Sequence, residues 1–119
     1  MSLLLLFACA DNALTRSSEL AAWGGLDSDG TLVAVVFAED ELLLAASYVN
    51  GLVVERDAVP EDWDLGADVP PGQAVITTLD PGGELEVARP TASEAVVVFR
   101  DGGEWRYDCF VDELGPVCE

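Results

Sequence analysis

From residue 31 onward, short apolar runs alternate with turn-forming residues, and this alternation constrains the fold more than any other feature of the sequence. The turn signals include Asn50-Gly51, which favours a two-residue type I′ hairpin turn, and the glycine-rich stretches 80–83 and 101–103. The apolar runs between them cover residues 31–37, 42–49, 52–55, 73–79, 84–89, 94–100 and 104–111. About seven short strands at this spacing predict a mainly β fold, either a small antiparallel β-sandwich or a partly open barrel.

Alternation within the last runs indicates which side chains face inward. Leu85 and Val87 alternate with glutamates, which is typical of a strand with one face in water. In the run that begins at Glu104, Trp105 and Cys109 share one face. We therefore expect Cys109 to point inward, near the edge of the core.

One short helix is predicted before the strands, over residues 17–25. Ser17 or Ser18 can cap its first turn, where Glu19 also lies favourably in the field of the helix dipole. Gly24-Gly25 then ends the helix.

The chain length of 119 residues and its apolar content of 50% are sufficient for one hydrophobic core. We expect residues 13–119 to form a single β-rich domain. Residues 58–72 lack apolar periodicity and contain three prolines, so this stretch is predicted to be a long loop.

The charge of the chain restricts its partners. Twenty-three acidic residues against five basic ones, all of them arginine, give a net charge of −18. Such a surface repels nucleic acids and anionic lipids, so no nucleic acid is expected as a partner. Basic proteins and divalent cations are the natural partners, although high net charge also serves solubility or adaptation to salt, and the sequence does not separate these causes.

The absence of lysine and histidine removes most familiar active sites. Without histidine there is no imidazole base for a serine or cysteine nucleophile, and without lysine there is no Schiff base or phosphate-loop lysine. We expect a non-catalytic protein without a cofactor. The enzymatic alternative is glycoside hydrolysis by a carboxylate pair such as Glu39 with Glu41, or Glu84 with Glu86.

Residues 1–12 predict a lipoprotein-type signal or anchor segment. The stretch Leu6-Phe7-Ala8-Cys9 resembles a bacterial lipobox, in which an apolar run and a small residue precede a cysteine that becomes lipidated. The resemblance implies lipidation at Cys9 and contact with a membrane through the lipid anchor alone. The alternative is a cytosolic protein in which this apolar stretch forms a buried strand or helix.

The other two cysteines, Cys109 and Cys118, lie close enough in sequence to form a disulfide, with Gly115-Pro116 turning the chain between them. Cys9 is then the odd thiol, as a lipid-bearing cysteine would be. Since disulfides persist mainly in oxidising compartments, this pairing predicts an exported protein of the cell envelope or extracellular space. In the cytoplasmic alternative all three cysteines are reduced.

The long loop contains a candidate binding site for a basic protein. Four carboxylates surround one aromatic side chain, an arrangement in which the aromatic group supplies buried area and the acids steer the encounter. The residues concerned are Glu61, Asp62, Trp63, Asp64 and Asp68. The alternative is that Trp63 folds back to close an open end of the sandwich while the acids stay in water.

Asp27 and Asp29, in the stretch Asp27-Ser28-Asp29-Gly30, resemble the beginning of a calcium-binding loop. The rest of an EF-hand is missing, because Val36 stands where the loop would place its glutamate. We therefore expect a plain turn before a strand, with Asp27 and Asp29 as candidate ligands for loosely bound calcium.

These features favour a non-catalytic binding module that is exported, is lipid-anchored at Cys9 and presents an acidic face to a basic protein or to cations. The alternative is a cytosolic acidic inhibitor or immunity-type protein that neutralises a basic partner by imitating the charge of nucleic acid.

Overall fold

The computed structural model describes residues 19–80 and 82–119, and within these ranges it shows nine β-strands and no helix. The strands are β1 (Leu20–Leu26), β2 (Leu32–Ala38), β3 (Glu41–Val49), β4 (Leu52–Glu55), β5 (Ala74–Thr78), β6 (Glu84–Ala88), β7 (Glu94–Arg100), β8 (Glu104–Asp112) and β9 (Gly115–Cys118). No helix in these ranges is long and apolar enough to cross a membrane. The predicted signal or anchor segment 1–12, with Cys9, lies outside the described residues.

The strands form two antiparallel sheets in which neighbours in sequence are also neighbours in space. The first sheet has the order β1-β2-β3-β4 and the second the order β5-β6-β7-β8-β9. The tight turn between β3 and β4 is made by Asn50 and Gly51, both at positive φ as a type I′ turn requires. The prediction of a mainly β, sandwich-like fold is confirmed, with two more strands than the seven expected.

The helix predicted over residues 17–25 is wrong for the part that the structure describes, because Leu20–Leu26 is strand β1. Local capping and helix-stop signals lose here to tertiary packing, since β1 pairs along its whole length with β2. Its small residues have a different role: Ala22 is fully buried, and Gly24 allows the second sheet to approach closely at Val87. Ser17 and Ser18 lie outside the described residues.

Strand β9 is the other element that the sequence did not predict. Gly115-Pro116 does not turn the chain but begins β9, with Gly115 opposite Asp112 on β8. The turn lies one step earlier, where the Asp112 carboxylate accepts a hydrogen bond from the Leu114 N–H at 2.8 Å. Pro116 is tolerated because β9 is an edge strand and Pro116 lies opposite Val111 at a non-hydrogen-bonded position, where a backbone N–H would face away from β8.

Cys109 and Cys118 face each other across β8 and β9 and form a disulfide. The adjacent Asp108 and Glu119 exchange both backbone hydrogen bonds, at 2.9 and 3.0 Å, so the cysteines occupy the next, non-hydrogen-bonded position. Side chains lie closest at such positions, which accounts for the short Cα–Cα distance of 4.0 Å. Cys109 is buried, as its place in the strand predicted.

The main core lies between the sheets and is built from alternate residues of the strands other than β5, which is largely exposed. Aliphatic side chains dominate it, with Phe99 as its largest fully buried aromatic group. The fully buried members include Leu32, Ala34 and Val36 from β2 together with Leu85, Val87, Val97 and Phe99 from the second sheet.

Arg89 is buried in the structure, with 2% of its surface exposed. Its guanidinium donates to the carbonyl oxygen of Val69 at 2.9 Å and to that of Ala92 at 3.0 Å. Burial lowers the pKa of Arg89, and the nearby carboxylates of Asp68 and Glu19 partly oppose this shift. The side chain thereby fixes the end of the long loop to the turn before β7.

Two tyrosines join the sheets at their polar margin. The Tyr48 hydroxyl on β3 donates to the carboxylate of Asp101, and the Tyr107 hydroxyl on β8 donates to Glu55 at 3.2 Å. Burial, followed by the charge of Glu55, raises the pKa of Tyr107 to about 12. The hydrogen bond to Asp101 likewise raises the pKa of Tyr48. Both hydroxyls therefore remain protonated donors at neutral pH, and the two sheets are joined by hydrogen bonds as well as by apolar contact.

The close approach of the sheets at Gly24 predicts a selective effect of a single methyl group. We expect Gly24→Ala to lower the free energy of unfolding by about 1–3 kcal/mol, because the new Cβ would overlap the Val87 side chain. Gly25→Ala is the matched control, since no atom lies within 4 Å of the Cβ it would add. Urea denaturation followed by tryptophan fluorescence measures both, and equal losses for the two variants would contradict this packing.

The disulfide is expected to stabilise the fold by constraining the unfolded chain. Replacing both cysteines, Cys109→Ala with Cys118→Ala, should lower the free energy of unfolding by about 2–3 kcal/mol. The measurement is denaturation of the variant and of the native chain with and without reductant. The reduced native chain should match the variant, and a native stability insensitive to reductant would count against the bond.

Candidate functional site

The long loop between β4 and β5 folds over the outer face of the first sheet. Trp63, 9% exposed, packs there against Val33, Val35 and Ala45. Other apolar side chains of the loop and sheet complete this second, smaller core, namely Val59, Leu65, Phe37 and Leu42. The indole thus covers a sheet face instead of closing an open end of the sandwich.

The acids around Trp63 point the other way. Glu61, Asp62, Asp64 and Asp68 are all exposed, while the indole between them is buried. The Asp64 carboxylate accepts a hydrogen bond from the Gly66 N–H at 3.2 Å, which shapes the loop after the tryptophan. The loop therefore offers its carboxylates to solvent on an apolar base, and its binding of a basic protein stays a prediction.

The structure brings together the two acidic regions that the sequence analysis treated separately. Asp27 and Asp29, in the turn between β1 and β2, lie beside Asp62 of the long loop, and one carboxylate oxygen from each lies within 4.8 Å of the others. Asp27 also organises its own turn, because its carboxylate accepts from the N–H groups of Asp29 at 2.9 Å and Thr31 at 2.8 Å. The three carboxylates could hold a hard cation such as calcium.

These aspartates line a cleft of about 270 Å³ between the long loop and the first sheet. Ser47 on β3 also lines it. Ser47 is 2% exposed, and its hydroxyl finds no hydrogen-bond partner within residues 19–80 and 82–119. In register, Ser47 lies opposite Val33, which faces the loop, so the Ser47 side chain lies on the face that the cleft covers.

Sequence reasoning missed Ser47 as part of this site, although a signal was present. Ser47 is the polar residue that follows five apolar positions in the run 42–49. A serine within an apolar strand is compatible with ordinary core packing. Its position therefore points to a site only once the structure shows that Ser47 lines the cleft.

Arg56 is the basic group at the cleft, which its exposed side chain helps to line. It is also the sole basic residue between positions 17 and 88. The first sheet and the long loop, residues 20–73, therefore carry eleven acidic residues against one arginine. The acidic residues are Asp27, Asp29, Glu39, Asp40, Glu41, Glu55, Asp57, Glu61, Asp62, Asp64 and Asp68.

The outer face of the second sheet has a different charge pattern. Arg100 contacts the carboxylates of Glu84 at 2.8 Å, Glu86 at 3.0 Å and Glu104 at 3.2 Å, which raise its pKa. Arg106 pairs with Asp108 at 3.2 Å. These exposed pairs contribute little stability, but they neutralise part of the charge of this face.

The carboxylate pairs named as an enzymatic alternative lie on opposite sheets. Glu84 and Glu86 share the guanidinium of Arg100. Glu39 and Glu41 flank the β2–β3 turn and are exposed. Glu39 also lines a second cleft, of about 300 Å³, together with Glu19, Asp68 and Arg89. The Arg89 guanidinium is already bonded to two backbone carbonyls.

Comparison with protein-family models, curated proteins and solved structures finds no match to this chain. The function of this chain is therefore inferred from its own geometry and charge.

Trp63 is expected to hold the acidic loop on the sheet. Trp63→Ala should lower the free energy of unfolding by about 2–4 kcal/mol and should expose residues 56–68 to proteolysis, because the buried indole is lost from the smaller core. Glu61→Ala, two residues away with an exposed side chain, is the control and should change both little. Mass mapping of protease cleavage sites reads out the loop, and protection of the loop in Trp63→Ala would contradict this role.

Proposed function

We propose that this chain is an exported, non-catalytic binding module whose long loop and first sheet dock a basic protein. The observation that carries the proposal is the uneven distribution of charge. Residues 20–73 carry eleven acids and one arginine, a net charge of −10. Residues 74–119 carry ten acids and three arginines, a net charge of −7, and Arg100 and Arg106 pair there with carboxylates. A basic surface would therefore be attracted more strongly to the side formed by the first sheet and the long loop.

The way in which the loop is held supports this proposal. At its beginning the Arg56 N–H donates to the carbonyl oxygen of Ala45 at 2.9 Å, and near its end the Val69 N–H donates to that of Ala22 at 2.8 Å. Trp63 fixes the middle by burial. Carboxylates on a held loop lose less conformational entropy on binding than carboxylates on a free one, so the loop is suited to present them to a partner.

The disulfide supports the exported part of the proposal. A bonded pair that closes the last hairpin and contributes Cys109 to the core would be subject to reduction in the cytosol. Lipidation at Cys9 belongs to the same proposal and rests on the lipobox-like sequence alone.

A cytosolic inhibitor that imitates nucleic acid would use the same acidic side. The net charge of −18 supports it, but the disulfide favours the exported module. In both the exported module and the cytosolic inhibitor, the acids of the long loop determine binding, and the total charge alone does not.

The binding test compares two variants of equal net charge. We expect Glu61→Gln, Asp64→Asn and Asp68→Asn together to weaken binding of an oligolysine peptide about tenfold, since charges at the contact contribute more than distant ones. The control neutralises three exposed acids of the other half, Asp80→Asn, Glu113→Gln and Glu119→Gln. Titrations are made with a chelator present and at several salt concentrations.

Native binding should weaken steeply with salt, and the control should retain most of it at low salt. Equal weakening in both variants would show that total charge alone determines affinity and would contradict docking at the loop. Absence of binding to oligolysine at low salt would contradict the proposal as a whole.

A further inference from the structure

We propose that Asp27, Asp29 and Asp62 form a calcium-binding site that clamps the long loop to the turn between β1 and β2, in the cleft that Ser47 also lines. This inference is independent of the proposed docking of a basic protein. It rests on the convergence of the three carboxylates and on a separate observation: the Ser47 hydroxyl in the same cleft has no hydrogen-bond partner among the described residues.

The spacing of the carboxylates fits the ion. Calcium binds oxygen ligands at about 2.3–2.6 Å, so two ligands of one ion lie at most about 5 Å apart. The three oxygens already lie within 4.8 Å of one another. Magnesium requires shorter bonds and near-ideal octahedral geometry, and ligands from two separate loops meet that requirement less readily.

The chemistry of the donors also selects a hard cation. All three ligands are carboxylate oxygens, and the sequence contains no histidine. Zinc and copper favour nitrogen or sulfur ligands, which this cluster does not contain. Since Asp29 and Asp62 are exposed, the ion would keep part of its water shell.

Ser47 supplies the evidence that separates this cluster from an ordinary acidic surface. A buried hydroxyl without a partner is costly, and such groups in proteins are usually satisfied by protein, water or an ion. Ser47 lines the same cleft as the three aspartates. A water molecule bound to the ion would give the hydroxyl its missing hydrogen bond, as outer-sphere groups of metal sites do.

Arg56 sets the expected strength of the site. Arg56 lines the cleft, and its positive charge offsets part of the negative charge that attracts the ion. With three carboxylates, partial hydration and a nearby cation, we expect a dissociation constant of about 10⁻⁴–10⁻³ M, the range of extracellular calcium modules. Binding at this strength would respond to extracellular calcium.

The clamp would act on the part of the molecule that carries the acidic loop. Asp62 precedes Trp63, whose indole covers the outer face of the first sheet. An ion shared between Asp62 and the β1–β2 turn would therefore hold the loop closed over Val33 and Val35. Removal of calcium should loosen this loop before the main core.

The experiment is calorimetric titration of the full chain with calcium at low ionic strength. We expect one saturable site, and the Asp62→Asn variant should bind calcium at least about tenfold more weakly. Asp64→Asn is the matched control. It removes the same charge only two residues from Asp62, but from a carboxylate that does not belong to the cluster. Its affinity should stay within about twofold of the native value.

Ser47→Ala tests the role of the buried Ser47 hydroxyl without changing the charge of the site. It should weaken calcium binding about tenfold if the hydroxyl serves the ion through a water molecule. The variant should fold well, because it removes a buried polar group that has no partner within the part of the chain that the structure describes. Arg56→Gln should bind calcium more tightly than the native chain.

Two results would overturn the proposal. One is the absence of saturable calcium binding up to about ten times the expected dissociation constant. The other is equal weakening by Asp62→Asn and Asp64→Asn with no effect of Ser47→Ala, which would show a diffuse ion atmosphere around an acidic loop. Because oligolysine binding is measured with a chelator, failure of the calcium site leaves the docking result unaffected.

Discussion

The fold depends on strand β2 (Leu32–Ala38) being buried on both faces. Leu32 through Val36 are at most 1% exposed, so no face of this segment is in water. One face meets the second sheet, and Val33 and Val35 on the other need a separate cover. A strand of continuous apolar residues is stable only when both of its faces are covered, and here the long loop with Trp63 is the second cover.

The position of the acidic residues follows from this requirement. Because Trp63 must face the sheet, the carboxylates on either side of it are turned to solvent. Asp62 is carried next to the β1–β2 turn by the same placement, which creates the cluster with Asp27 and Asp29. The candidate site is therefore a consequence of how the second face of β2 is buried.

Local patterns predicted the strands and turns, since alternation and turn residues act over a few positions. The turn at Asn50-Gly51 and the inward side of Cys109 follow from such signals. The helix prediction for β1 is wrong because the conformation of this segment is determined by tertiary contacts. The segment pairs with β2, and at Gly24 it packs against Val87 of β6, far away in sequence. The proximity of Asp62 to the β1–β2 turn could not be predicted for the same reason. These loop residues are far apart in sequence, and no strand pairing visible in the sequence brings them together.

A chain with a net charge of −18 folds against its own repulsion, and the arginines show how that repulsion is managed. Arg100 forms ion pairs with three glutamates of the second sheet. Arg89 is buried and donates hydrogen bonds to two backbone carbonyl oxygens that water would otherwise have to satisfy. Arg89 lies near Asp68 at the end of the long loop, but Arg56 is the sole basic residue of the loop itself. Repulsion among the loop acids favours an open loop and burial of Trp63 favours a closed one, so any cation that binds the acids shifts this balance toward the closed form.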